Sequence, residues 1–297
     1  MSFLQWLDPR PAAFFGGLVV GLLAAGCGPA TYLLARQLGA PRDASFHAAS
    51  YAALCPGLIL FYPEFDQVYP LLSVLLLASW AMALERDRGR WSACFGVLLA
   101  CVAFTSYALL VLGAFAFGYT LIFCLGGSPR RVRVSVVARH VTIALATTAC
   151  LYALLHALTG FDPFATFATA VENQGRHAAT LGRPWPATIP FDLLDFALGT
   201  AWLSYLLVAF GILRRRGRPL QKLDWVVLLC LGQILLVAIG GLIPVETARV
   251  WLFMVPLLML PVGLELRHWG FAGRMTVYGC VWLLLGLICQ NLGFLTA

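Results

Sequence analysis

The sequence predicts an all-α fold, a polytopic transmembrane helical bundle of about ten membrane helices, two of them short, with both termini outside. Three observations carry this. Of the 297 residues, 61% are hydrophobic and 11% charged, where soluble domains average about 45–50% and about 25%. Uncharged runs long enough to cross a bilayer recur along the whole chain. The basic residues between those runs fall on alternate loops, as the positive-inside rule requires.

A helix that crosses about 30 Å of hydrocarbon needs about 20 residues at about 1.5 Å each. The runs 13–35, 68–84, 134–158, 189–213, 223–243, 250–266 and 275–295 are clear spans. Within the first, Leu23-Ala24-Ala25-Gly26-Cys27 has the look of a lipoprotein cleavage site. The residues after it stay apolar to Leu38, so the run reads as a first helix. Residues 47–62 are uncharged between His47 and Glu64 and contain Pro56-Gly57, which predicts a kinked crossing. Residues 91–125 form an uncharged stretch that would run about 52 Å as one helix, too long for one crossing. A break near Thr105-Ser106 is expected, giving two short helices. Residues 1–297 thus read as a single integral membrane domain, with 159–188 as its longest outer loop.

Charge tests the count. With alternating sides, sixteen of the 20 basic residues share one face, and only Arg10, Arg176, Arg183 and Arg249 remain on the other. Eight of the 13 acids lie with those four, so the formal +7 resolves into +11 inside and −4 outside. The split requires 91–125 to cross twice. Basic charge of this origin reflects insertion and anionic lipid, not nucleic acid. The nine cysteines show no CxxC pair and no nearby His at ligand spacing, so they read as small buried apolar residues and indicate no metal site.

Candidate chemistry gathers at the outer boundary, because ionisable groups near hydrocarbon are costly to keep. In Pro63-Glu64-Phe65-Asp66-Gln67, an extended segment would point both carboxylates the same way. That suits a divalent cation, a sugar hydroxyl or a general base; two acids capping the next helix is the structural alternative. Asp192 and Asp195 follow Pro190, one helical turn apart, and capping accounts for Asp192 but not Asp195. Glu246 and Arg249 stand three apart, either as a local ion pair or with Arg249 turned to a phosphate. In the outer loop, Arg176, His177 and Arg183 suit a phosphate or diphosphate. Trp185 suits the membrane interface or a stacked sugar. The span centres lack the charges a transporter is expected to hold there.

The order of features resembles the GT-C type membrane glycosyltransferases, the superfamily of protein O-mannosyltransferases and lipid A aminoarabinose transferases. The likeness rests on Tyr32-Leu33-Leu34-Ala35-Arg36-Gln37-Leu38-Gly39 ending an early helix, Pro63-Glu64-Phe65-Asp66-Gln67-Val68-Tyr69-Pro70, the basic turn from Glu85 to Arg90, and paired short helices around Thr105-Ser106-Tyr107. It covers roughly residues 13–125, and the remainder by helix count, the long outer loop and Glu246 with Arg249.

The resemblance implies transfer of a sugar from a polyprenyl-phosphate donor at the outer face of the cytoplasmic membrane. Partners would be membrane lipid and the polyprenyl-phosphate sugar, and nucleic acid would be none. It implies Glu64 and Asp66 as catalytic carboxylates, with a divalent cation there as the one cofactor in question. Arg249, with Arg176 and Arg183, would meet the donor phosphate. Asp195, Glu246, His177 and Trp185 would be candidates for substrate contact. The family also places a catalytic acid in a first outer loop after its first helix. Here the first helix is followed by the inner loop 36–46, and Asp8 is the only acid near that position. The family's first helix and loop have no match here, so the resemblance leaves two expectations, a part of a longer enzyme that carries them ahead of this sequence, or a relative without them. Without them, the expectation is a non-catalytic relative, an accessory subunit or a lipid-linked saccharide carrier.

Overall fold

In hydrocarbon, backbone N–H and C=O groups find partners only inside helices or closed barrels, so uncharged runs of this length are driven to helix. The computed structural model describes residues 9–126, 130–180, 185–241 and 247–291, and every regular element among them is helical. In chain order these are α1 (Pro9–Ala25), α2 (Cys27–Gln37), α3 (Arg42–Ala53), α4 (Pro56–Leu60), a 3-10 turn (Phe65–Val68), α5 (Tyr69–Arg86), α6 (Gly89–Thr105), a 3-10 turn (Tyr107–Val111) and α7 (Leu112–Leu125). There follow α8 (Arg130–Thr159), α9 (Pro163–Thr180), α10 (Thr188–Gly199), α11 (Leu203–Arg215), α12 (Lys222–Gly240), α13 (Thr247–Val250), a 3-10 turn (Trp251–Met254), α14 (Val255–Leu266) and α15 (Phe271–Asn291). Among the described residues, seven helical segments are long and apolar enough to cross a membrane, and a bent pair makes an eighth. The chain is a multi-pass membrane protein by length and composition.

The segment Thr247–Leu266 sits at the centre, with all of Trp251 to Leu266 buried. Helices in lipid gain little from hiding apolar surface from one another and associate by close packing, which small residues permit. The contact of α3 with α14 shows this: Ala44, Ser45, Ala48 and Ala52 of α3 are all buried, and α14 meets them with Gly263. A Cβ at Gly263 would lie 2.7 Å from the Ala48 nitrogen and closer still to the Ala44 carbonyl oxygen.

Ion pairs tie the helix ends together at the basic end of the bundle. Arg214 grips the buried Glu265 carboxylate through Nε at 3.0 Å and a terminal nitrogen at 2.8 Å, and Trp269 adds an N–H bond of 2.9 Å. Arg215 pairs with Asp224 at 2.6 Å and Lys222 with Glu85 at 2.5 Å. Arg214, Arg215 and Lys222, which the sequence assigns to one face, thus each pair with an acid at the end of a helix.

The expected break in 91–125 is present. Helix α6 stops at Thr105, Ser106 is extended (φ −162°, ψ 120°), and a 3-10 turn starts again at Tyr107. Two other expectations need correction. The run 189–213 is not one straight span, because α10 and α11 meet at 102°. Ala201 takes a left-handed conformation (φ 58°) at the corner, where the Thr200 hydroxyl bonds the Phe196 carbonyl at 2.8 Å and meets Ser204 at 3.2 Å. The stretch 159–188 is largely helix, not loop. Asp162 caps α9 by accepting the Phe164 and Ala165 N–H groups, and the helix then sets Phe164, Phe167 and Val171 on one exposed face against Thr166, Thr169 and Arg176.

Candidate functional site

The acidic segment before α5 is the starting point. Residues Phe65–Val68 wind as a 3-10 turn with Glu64 at its cap, closed by a bond from the Gln67 N–H to the Glu64 carbonyl at 3.2 Å. At about three residues per turn, side chains two apart point about 240° apart, so the two carboxylates diverge. Glu64 is exposed and Asp66 turns inward. The shared cation geometry expected of an extended segment is therefore not formed. Among the described residues, no group of three or more His, Cys, Asp and Glu side chains gathers as a metal would need.

Asp66 instead meets Arg249. The carboxylate Oδ2 lies 3.0 Å from the Arg249 Nε, and the side chains are 19% and 30% exposed, enough burial to limit screening without removing the site from solvent. Tyr69, one turn further on at the start of α5, lies close enough to Asp66 and to Ser106, the residue at the α6 break, to interact with both. Behind Asp66, the Gln67 amide is buried and donates to the Leu58 carbonyl at 2.7 Å, while its Oε1 has no hydrogen-bond partner among the described residues. The site is thus assembled from the turn before α5, the α6 break and α13.

What holds Arg249 in place lies beside it. Thr247 donates its hydroxyl to Asp192 Oδ1 at 3.0 Å, and both residues are buried. Around Ala248 three backbones close together. Its carbonyl oxygen would stand 2.9 Å from a Cβ at Gly199 and 3.1 Å from one at Gly57, and the Cys55 thiol bonds the Gly199 carbonyl at 3.0 Å. The Pro56-Gly57 that suggested a kink is the point where the α3–α4 segment touches α10 and α13.

The other candidates lie apart from this pair. Helix α10 begins at Thr188, so Asp192 sits beyond the cap position and is the buried acid of its helix; Asp195 is half-buried and engaged with neighbours of its own. Arg176 pairs with Glu172 on the exposed face of α9 at 2.5 Å. Trp185 is exposed but donates its Nε1–H to the Ile239 carbonyl at 2.8 Å, which fixes it at the end of α12. Arg183 and Glu246 lie outside the described residues, as does the side chain of His177.

A further polar constellation escaped the sequence reading. Ser92 Oγ lies 2.5 Å from His140 Nδ1, and His140 Nε2 lies 2.9 Å from Asp87, which Arg139 also grips. The order resembles a nucleophile, base and acid. Ser92 and His140 are fully buried, so no substrate reaches the hydroxyl. Their role is to tie α8 to α6 and to the turn before it. The signal was slight, since the polar residues stand far apart in the chain and only helix packing unites them.

No protein-family model matches the chain, and no curated protein matches it.

Proposed function

We propose that this chain is a membrane glycosyltransferase of GT-C type that moves a sugar from a polyprenyl-phosphate donor at the face bearing Asp66 and Arg249. The observation that carries the reading is the 3.0 Å pair itself: a carboxylate and a guanidinium, partly exposed, at the end of the bundle remote from the basic loops. An incoming donor phosphate competes for the Arg249 guanidinium, which suits a phosphate's planar, charge-assisted hydrogen bonding. Taking it frees Asp66 from its partner. The acceptor hydroxyl then attacks the sugar C1, the C1–O bond to the phosphate breaks, the hydroxyl proton passes to Asp66, and Arg249 meets the charge left on the polyprenyl phosphate. Glu64, two residues away and exposed, is a second carboxylate for acceptor hydroxyls.

The topology in this reading has ten crossings with both termini outside, in the cytoplasmic membrane. The seven long segments are joined by the bent α10–α11 pair, by Gly89–Thr105, and by α3 with α4 crossing as one broken unit. A second reading has its own support. The Asp66–Arg249 contact sets the two charges against each other within the fold, as a structural clasp would, which suits a non-catalytic carrier or accessory subunit.

One experiment separates them. The purified chain in lipid vesicles is offered a panel of polyprenyl-phosphate sugars and scored for transfer to added acceptors, with Asp66→Asn and Arg249→Gln alongside. The enzymatic reading expects transfer that falls by about 10²-fold or more in Asp66→Asn. If the folded wild type turns over none of the donors while binding them through Arg249, the carrier reading takes its place.

A further inference from the structure

At the basic end, remote from the pair just described, the C-terminal ends of α2 and α5 and the start of α12 surround an open cavity of about 620 Å³. Its walls carry Arg36, Arg86 and Lys222 against a single carboxylate, Glu85. Arg36 and Arg86 stand in the last turns of their helices, where the helix dipole favours a cation. That accounts for one cation per helix end, but not for three of them facing one concave space. Lys222 and the Tyr119 hydroxyl already occupy Glu85, at 2.5 and 3.1 Å. Arg36 is held by a bond from its guanidinium to the Ala40 carbonyl at 2.6 Å, and neither Arg36 nor Arg86 makes an ion pair among the described residues. Elsewhere at this end Arg139, Arg214 and Arg215 each have a carboxylate.

A concave space lined by like charges between low-dielectric walls concentrates the potential and draws in anions. Two guanidinia offer planar, paired donors matched to phosphate oxygens, and Gln37 and Gln221 on the same walls add amide donors. The volume lies within the range of about 300–1,000 Å³ usual for small-molecule sites. Basic pockets between membrane helices hold anionic headgroups by the same chemistry.

We infer that the cavity between α2, α5 and α12 is a binding site for a phosphate ester, gripped by Arg36 and Arg86 with Lys222 beside them. The site is independent of the sugar-transfer reading and stands or falls without it.

The test uses the purified full chain in neutral detergent, as wild type, Arg36→Gln/Arg86→Gln, and Arg88→Gln as a basic neighbour outside the cavity. Native mass spectrometry counts phosphatidylglycerol retained from mixed micelles with phosphatidylcholine, and thermal melting reads stabilisation by glycerol 1-phosphate. Retention about ten-fold lower in the double variant and unchanged in Arg88→Gln supports the site and identifies a lipid headgroup as the ligand. Stabilisation by glycerol 1-phosphate that the double variant loses, with lipid retention unaltered, supports it with a soluble ester. If the double variant matches wild type in both arms, or if Arg88→Gln weakens retention equally, the inference is overturned. Should the double variant not stay monodisperse, Arg86→Gln alone is expected to lower retention about three-fold, and no change there overturns it equally.

Discussion

Replacing Gly263 by alanine is the sharpest perturbation of the packing that positions the site. The new methyl group would stand 2.7 Å from the Ala48 nitrogen and 2.8 Å from the Ala48 Cβ, and closer to the Ala44 carbonyl oxygen. Carbon atoms rest at about 3.5–4.0 Å, so α3 and α14 must separate by about 1 Å. Two of those atoms are backbone, and no side-chain rotation relieves them. Overpacking of this kind costs about 1–3 kcal/mol, and the position belongs near the upper value because α14 is buried on every side. At about 2 °C per kcal/mol for a chain of this size, the apparent melting temperature falls by about 4–6 °C. The assay is detergent-solubilised melting at a fixed scan rate, since unfolding of such proteins is often irreversible. Gly232→Ala is the matched control: nothing lies within 4 Å of its Cβ position in α12. It should gain about 0.5–1 kcal/mol of helix propensity, a rise of about 1–2 °C. If the two substitutions behave alike, the close contact of α3 with α14 is not what holds the centre together.

Three further outcomes are expected. Asp66→Arg and Arg249→Asp should each lower the melting temperature, and combining them should recover at least half of the loss; additive losses would deny a direct pair. Thr247→Val removes a hydroxyl from the buried Asp192 and should cost about 1–2 kcal/mol, with Thr247→Ser close to wild type; equal losses in both would assign the effect to packing. Cys101 and Cys150 are exposed on α6 and α8, whereas Cys27, Cys55 and Cys230 are buried. In vesicles a charged maleimide should leave Cys101 and Cys150 unmodified because lipid covers them. In detergent N-ethylmaleimide should reach both well before the three buried thiols, and rapid labelling in vesicles would contradict a lipid-facing surface.

Span positions were legible because hydrocarbon imposes a length and forbids charge, and both are properties of the local sequence. The α6 break at Ser106 was legible for the same reason, since 91–125 exceeds any single crossing and the basic loops demand an even number there. The α10–α11 corner was not. Hydropathy stays high through Thr200 and Ala201, no proline marks the bend, and a left-handed alanine stabilised by a threonine hydroxyl leaves little trace in a pattern of apolar residues. Helix α9 escapes hydropathy because its polar residues lower the mean while their spacing still suits one face of a helix. In the site, Arg249 stood out as a rare basic residue among acids, but its partner did not. The sequence suggested Glu246 three residues away, which lies outside the described residues; the described pair is with Asp66, reached only when α13 packs beside the turn before α5. The Thr247 contact of Asp192 was not legible for a related reason. Capping preference speaks about a helix's own backbone and is blind to Thr247 arriving from another segment.

The crossing of Gly57, Gly199 and Ala248 positions the residue next to Arg249 through close backbone contact, beside the Thr247–Asp192 hydrogen bond. With glycine at two of the three positions and only Leu252 and the Ala248 methyl group reaching the crossing, α4, α10 and α13 approach closely there, so a displacement of α10 should be felt at the guanidinium one residue away. Part of the geometry of the charged pair is thus inherited from a spot that carries no charge. Variation should therefore be tolerated less at two glycines than at Glu64, and a survey of substitutions that scored only ionisable residues would miss the positions on which the pair's alignment most depends.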